Sequence, residues 1–275
     1  MSFKPLFLIL VILFTSQLIY SQQSGEVYYL YPTPGELIEV IDEGNLSFDK
    51  TLLNPEENLP TYIDTKSRNL NLGIYMADMA YSAFFSKRNT VLKYLEVIGD
   101  LSNYLLISSH IKENLVKDFT DNIDNFDSIY HFTNVYYYEI MNELEKNNNT
   151  NIMTLIISGA YIECIYIAVN LAEYQDNSSL IQKVAEQKFA FENLVKSCEL
   201  RKSNRNIAVI LKYLLEIQEI YDKVKMTEGT KREMIRTTDG KIRFKGGPKL
   251  KMEETEFIKL KESVNRIRTE IVYNK

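Results

Sequence analysis

The 275 residues are 45% hydrophobic and 25% charged, with 10 Gly and 6 Pro, which excludes a disordered or collagen-like chain and allows a sizeable core. A net charge of −5 disfavours nucleic-acid binding. The charge is divided unevenly, because 22–222 carry 16 basic and 29 acidic residues, whereas 223–275 carry 15 basic and 8 acidic residues, a net +7. The basic tail either complements the acidic remainder of the chain or faces an anionic partner.

The first 21 residues predict a cleavable export signal. Lys4 provides a positive charge, Leu6 to Phe14 are continuously apolar, and the small residue Ser21 precedes Gln22. This apolar run is much shorter than the roughly 20 residues of a membrane span. No cysteine lies near the predicted cleavage point to carry a lipid. We therefore expect a secreted protein, periplasmic or extracellular, that is not lipid-anchored.

The segment 22–60 is predicted to form a polar arm, a short helix and a linker. Thr33 is a candidate N-cap, Pro34 suits the first helical position, and Glu36 completes a capping box. Asn-Pro and Leu-Pro pairs indicate turns in the linker at 44–60.

From residue 61 to 225, apolar residues recur at spacings of three and four, which predicts helices separated by short polar turns. Short connections between long helices favour antiparallel neighbours. The sequence therefore predicts an all-α, up-and-down antiparallel helical bundle. The expected helices are at about 61–86, 89–109, 111–145, 150–174, 178–201 and 204–225. The third of these is either continuous or broken near Asp121 to Asp124.

The segment 226–275 predicts a small β-hairpin and a final basic helix. Two β-prone runs flank Asp239-Gly240, which suits a two-residue turn, and we expect Gly246-Gly247-Pro248 to end the hairpin. The helix begins near Glu253 and carries an apolar stripe at heptad spacing. This stripe either docks onto the bundle or pairs with a second copy. Its members are Phe257, Leu260, Val264, Ile267 and Ile271.

Two predicted helices contain a similar triplet. Gly73-Ile74-Tyr75 and Gly159-Ala160-Tyr161 are 86 residues apart, which indicates either an internal duplication or a coincidence. In the first helix, Gly73 shares a face with three alanines, and this smooth face would let another helix approach closely.

The candidate functional residues are two carboxylates within strongly apolar helices, Asp78 and Glu163. A buried carboxylate is costly unless it is hydrogen-bonded or paired. One hypothesis is that they line a pocket as acid, base or ligand-binding groups. The alternative is a structural role, in which they accept from tyrosine hydroxyls or face a polar seam. The neighbouring candidates are Tyr75, Tyr81 and Tyr161.

Other residue types predict little chemistry. His110 and His131 have no metal-ligand partners at helical spacing, and no glycine-rich phosphate loop is present, so we expect no metal, no cofactor and no catalytic triad. Cys164 and Cys198 would lie about ten residues out of register in a helical hairpin, roughly 15 Å apart along its axis. We therefore expect two free, buried thiols.

The segment 153–172 is long and apolar enough to span a membrane, but Glu163 at its centre favours a core helix. The hypothesis for function is a non-enzymatic binding or interaction module whose partner is a protein or an envelope component. The alternatives are an envelope hydrolase using buried carboxylates, and a protein associated with the membrane through this helix.

Four features together carry a resemblance. They are the signal ending in Ser21-Gln22, the segment Tyr31-Pro32-Thr33-Pro34, the helix from Leu72 to Tyr81, and a Gly-Gly hairpin before a helix with Arg266-Ile267-Arg268. The chain resembles a group of exported bacterial all-helical proteins for which no activity is known. The resemblance covers most of the mature chain and implies the fold and the location only.

Overall fold

Eight α-helices and one antiparallel hairpin form the part of the chain that the computed structural model describes, residues 33–38, 41, 46–103, 117, 126–176, 178–236 and 242–273. The predicted helical bundle with a small hairpin and a final helix is confirmed. The predicted signal, His110 and the Asp239-Gly240 turn lie outside the described residues. The elements are α1 (Pro34–Ile38), α2 (Thr65–Phe84), α3 (Arg88–Ser102), α4 (Phe126–Lys146), α5 (Thr150–Leu171), α6 (Ser179–Leu200), α7 (Arg205–Tyr221), β1 (Lys225–Arg236), β2 (Ile242–Lys251) and α8 (Glu254–Val272).

The start of α2 differs from the expectation because the preceding residues form other structure. Glu56–Thr61 is a 3₁₀ helix, and α2 begins only after Asp64, whose Oδ1 accepts from the amide of Ser67 at 3.0 Å. An N-cap of this kind satisfies one of the free amides of the first turn. At α1, the hydroxyl of the buried Thr33 donates to the Asn134 side chain on α4 at 2.8 Å.

Helices α2 and α5 form the centre of the bundle, where they approach until backbone meets backbone. A Cβ built on Gly73 would lie 2.0 Å from the carbonyl oxygen of Ile156, and one built on Gly159 would lie 2.0 Å from that of Leu70. Each glycine thus packs on the residue three positions before the other glycine. Only glycine allows such an approach.

This reciprocal contact gives the two similar triplets a packing role. The smooth face predicted for α2 is buried, with Gly73, Ala77, Ala80 and Ala83 all inside the bundle. Whether the two helices arose by duplication stays a prediction.

Helix α5 is also the one described helix that is long and apolar enough to cross a membrane. Of its most apolar stretch, 83% is buried within the fold. The core helix of a bundle has the same length and composition, so these features alone do not indicate a membrane span.

The apolar stripe of α8 docks onto the bundle, as one of the two alternatives predicted. Its five members are between 0% and 6% exposed, and the helix contacts α5, α7 and α2 of the same chain. The stripe is thus occupied within one copy of the chain.

The hairpin is longer than expected. Lys225 pairs with Lys251 at its base and Arg236 with Ile242 at its far end. The expectation that Gly246-Gly247-Pro248 ends the hairpin is wrong, because β2 continues through these residues to Lys251. Two irregularities on β1 flank Thr230, which pairs with Gly247. Every strand of a two-stranded sheet is an edge strand, and edge strands tolerate proline and bulges.

Candidate functional site: a buried carboxylate and arginine cluster

Three charged side chains from three helices meet inside the bundle. Asp78 on α2 and Glu163 on α5 are each 0% exposed, and Arg268 on α8 is 5% exposed. Charged groups are almost never buried this completely unless they are paired. The arrangement therefore depends on the contacts among the three groups.

Arg268 forms a bidentate ion pair with Glu163. Its Nε lies 3.0 Å from Oε2 and its Nη2 lies 3.0 Å from Oε1. Nη2 also donates to the carbonyl oxygen of Leu52 at 3.1 Å, and the guanidinium carbon lies 4.6 Å from the ring centroid of Tyr166. Parallel hydrogen bonds to both carboxylate oxygens and contact with an aromatic face suit an arginine and not a lysine.

Asp78 lies beside this pair but has few donors of its own. Its Oδ2 accepts from the amide of Asn54 at 2.9 Å, whereas no donor reaches its Oδ1. Glu163 and Arg268 are the charged neighbours that influence its ionisation. Burial raises the pKa of Asp78 well above its usual value, the neighbouring Glu163 raises it further, and Arg268 only partly offsets these effects.

The linker before α2 closes one side of the cluster through Asn54. The Asn54 side chain donates to Tyr62 at 3.1 Å and to Asn71 at 3.3 Å, and its carbonyl accepts from the Tyr94 hydroxyl at 3.0 Å. Asn54 itself is 0% exposed. A short segment without regular secondary structure thus becomes part of the core because its polar groups all find partners.

The same network holds the carboxyl end of α8. Tyr62 donates to the carbonyl of Val272 at 3.0 Å, and Asn71 donates to that of Ile271 at 3.3 Å. The last carbonyls of a helix have no partner within the helix. The linker and α2 therefore satisfy the end of α8 as well as its central arginine.

The tyrosines that the sequence grouped with the carboxylates bond elsewhere. Tyr75 donates to the carbonyl of Pro55 at 2.8 Å, and Tyr161 donates to that of Gln187 at 2.8 Å. The Tyr81 hydroxyl accepts from the amide of Asp49 at 2.8 Å. The structure brings Asp78 and Glu163 together, and their partners are an arginine and a backbone amide, not the tyrosine hydroxyls that one alternative named.

Arg268 is the member of the cluster that sequence reasoning missed, although the pattern of α8 contains a signal for it. Arg268 follows Val264 by four positions and precedes Ile271 by three, so it lies on the apolar stripe. A charged residue within such a stripe indicates a buried partner.

Two concavities on the surface lie away from the cluster. A cleft of about 550 Å³ is lined by Leu59, Ile63, Arg68, Asp100 and neighbouring residues. A small cavity of about 30 Å³ lies between α2, α7 and α8. Neither is lined by Asp78, Glu163 or Arg268.

The thiols and the described histidine take no part in the cluster's hydrogen bonds. Cys164 and Cys198 are free and buried, and burial is the main reason that the pKa of Cys164 is raised well above its usual value and that of Cys198 to about 11. His131 is exposed beside Phe132 on α4. Among the described residues, no three His, Cys, Asp or Glu side chains are grouped to hold a metal ion.

The cluster's composition and geometry allow charge neutralisation and proton sharing. We compared the chain with known proteins, and no family model, no curated protein and no solved structure matches it.

Proposed function

We propose that the chain is an exported, non-catalytic binding module whose hairpin contacts an anionic component of the cell envelope. The observation that carries this proposal is the distribution of charge within the tail. Residues 225–251 contain nine basic and three acidic residues, whereas 252–275 contain five of each. The positive excess of the tail thus belongs to the hairpin, and the final helix is balanced.

The arginines of the final helix already have partners within the chain. Arg268 pairs with the buried Glu163, and Arg266 pairs with Glu216 on α7 and with Glu270 one turn away. Complementation between the acidic bundle and the basic tail therefore accounts for α8.

The base of the hairpin differs from α8 in how its basic residues are paired. Lys251 pairs with Asp176 at 3.3 Å, but Lys225 and Lys249 are exposed near it. Lys225 pairs across the strands with Lys251, so two like charges face one another there. Asp176 and Glu253 of the same chain compensate Lys251, and negative charge on a partner beside Lys225 and Lys249 would make this pairing more favourable.

The acidic charge of residues 22–222, the body of the chain, supports this interpretation. With a net charge of −13 over 22–222, the body is repelled by an anionic surface while the hairpin is attracted. The chain would therefore approach such a surface hairpin first, with an affinity that falls as salt is added.

Two further observations support a binding role over catalysis. Each oxygen of Glu163 is bonded to Arg268, and neither carboxylate lines a described concavity. Export is supported by the apolar N-terminal segment and by the resemblance to exported helical proteins.

The test is binding of the mature chain to lipid vesicles. We expect binding to vesicles rich in anionic phospholipid at low salt, with little binding to zwitterionic vesicles. The double variant Lys225→Glu with Lys249→Glu should weaken binding at least about tenfold, since each basic residue near such a surface contributes about 1 kcal/mol. The matched control is Lys196→Glu with Lys259→Glu, which changes the same charge on exposed helical positions. Equal losses in both variants would overturn the proposal.

A further inference from the structure

We propose that Asp78 carries a proton in the folded protein, beside the ion pair of Glu163 with Arg268, and that this proton stabilises the bundle. The protein would then take up one proton as it folds and would unfold more readily at alkaline pH. This inference concerns the core and is independent of the role proposed for the hairpin.

The hydrogen-bond donors around the two carboxylates indicate which of them carries the proton. Arg268 supplies one donor to each oxygen of Glu163, and the amide of Asn54 supplies one to Oδ2 of Asp78. Oδ1 of Asp78 is buried and receives none. A buried carboxyl oxygen beside a second carboxylate is satisfied when it carries a hydrogen and donates it to that neighbour.

The net charge of the three side chains also agrees with a neutral Asp78. With Asp78 neutral, the negative charge of Glu163 and the positive charge of Arg268 cancel. Without the proton, the buried cluster would carry one uncompensated negative charge. The raised pKa of Asp78 agrees with the neutral form, and burial is its main cause.

The other titratable groups that influence the cluster cannot supply the missing charge near neutral pH. Burial raises the pKa of each of these hydroxyls and of the thiol, so they remain neutral. They come from the linker, α2, α3 and α5. They are Tyr62, Tyr75, Tyr94, Cys164 and Tyr166.

The cluster joins three parts of the fold. Arg268 ties the middle of α8 to α5 and, through Leu52, to the linker, while Tyr62 and Asn71 hold its carboxyl end. A second negative charge at this junction would be buried without a cation of its own, which is costly. We therefore expect loss of the proton to destabilise the folded bundle.

The first test is the pH dependence of unfolding. A group whose pKa is raised by folding contributes stability that is fully present below its unfolded pKa and is lost as pH rises toward the folded pKa. The wild-type unfolding constant should therefore rise up to tenfold more per pH unit than that of Asp78→Asn, whose amide can donate to Glu163 at every pH. Asp100→Asn, an exposed position on α3, is the control and should keep the wild-type dependence. Identical pH profiles for wild type and Asp78→Asn would overturn the proposal.

The second test needs no variant at this position. In wild-type protein labelled with ¹³C at aspartate carboxyls, one carboxyl should remain protonated at pH 7. If every aspartate is ionised at pH 7, the proposal fails.

Discussion

The bundle core and the hairpin place charge in opposite ways. In the core, Arg268 neutralises Glu163, and backbone groups of Asn54 and Leu52 bond to Asp78 and Arg268. In the hairpin segment 225–251, nine basic residues accompany only three acidic ones. Buried charge must be balanced within the chain because desolvation is costly, whereas surface charge is hydrated and need not be paired within the chain. The core therefore carries stability, and the hairpin is the element that can carry recognition.

The largest expected loss of stability comes from leaving a charge unbalanced in the core. Arg268→Met removes the cation but keeps much of the apolar stem, so Glu163 remains buried without its partner. We expect a loss of about 3–5 kcal/mol in the free energy of unfolding, measured by denaturant titration.

The control is Arg266→Met, two positions away, where the exposed pair with Glu216 is lost. Its cost should stay below about 1 kcal/mol. Adding Glu163→Met to Arg268→Met should recover part of the stability because no ion then remains unpaired. A small effect for Arg268→Met would contradict the view that the core ions depend on one another.

A second prediction concerns the close approach of α2 and α5, which positions the two carboxylates. Gly159→Ala would place a methyl group against the carbonyl oxygen of Leu70, where only backbone movement can make room. We expect a loss of roughly 1–3 kcal/mol. Gly99→Ala on α3, where an added Cβ meets nothing within 4 Å, should stabilise the protein by about 0.5–1 kcal/mol. Similar thermal melting shifts in both variants would contradict the contact.

The third prediction contrasts Asp78 with a surface aspartate. At Asp64, partial burial raises the pKa, but hydrogen bonds from Ser67 outweigh this effect and lower it below its usual value. Its contribution is therefore present above the unfolded pKa and is lost as pH falls through the folded pKa.

Asp64→Ala should cost about 1 kcal/mol at neutral pH and less in acid, as measured by denaturation at both values. Asp64→Asn is the control, because asparagine also caps but does not titrate. A cost for Asp64→Ala that grows in acid would contradict this assignment.

The smallest expected effect is on reactivity and not on stability. Cys164 and Cys198 are 2% and 0% exposed, and their pKa values are raised, so native protein should react very slowly with a thiol reagent at pH 8. A cysteine introduced by Met226→Cys, at a position 63% exposed on β1, should react roughly a hundredfold faster or more. Equal rates would show that the core opens as readily as the hairpin.

Much of the fold was predictable because it depends on local patterns. Apolar spacing located α5, α6 and α7 to within a few residues, and β-prone runs located the hairpin. The start of α2 was less accurate, since a 3₁₀ helix and the cap at Asp64 compete with helical periodicity there. The length of the hairpin was also missed, because glycine and proline end a strand only when the sheet continues on both sides.

The candidate site was predictable only in part. A carboxylate within an apolar helix shows that Asp78 and Glu163 must be compensated. The identity of the compensating group depends on which segment packs there, and Arg268 is separated from Glu163 by 105 positions. The contribution of Asn54 was hidden for the same reason, since a linker residue becomes a core residue only when the linker packs on α2 and α3.

The sequence alone determined the helical class, the apolar stripe of α8, the smooth face of α2 and the uneven charge of the chain. These follow from residue type and short-range spacing, which act before any distant contact forms. The tertiary structure decided that Gly73 and Gly159 pack on one another's helices and that Arg268 enters the core. It also leaves Oδ1 of Asp78 buried without a donor. Hydrogen bonding and desolvation depend on which atoms come within about 3 Å, and only the folded chain establishes those distances.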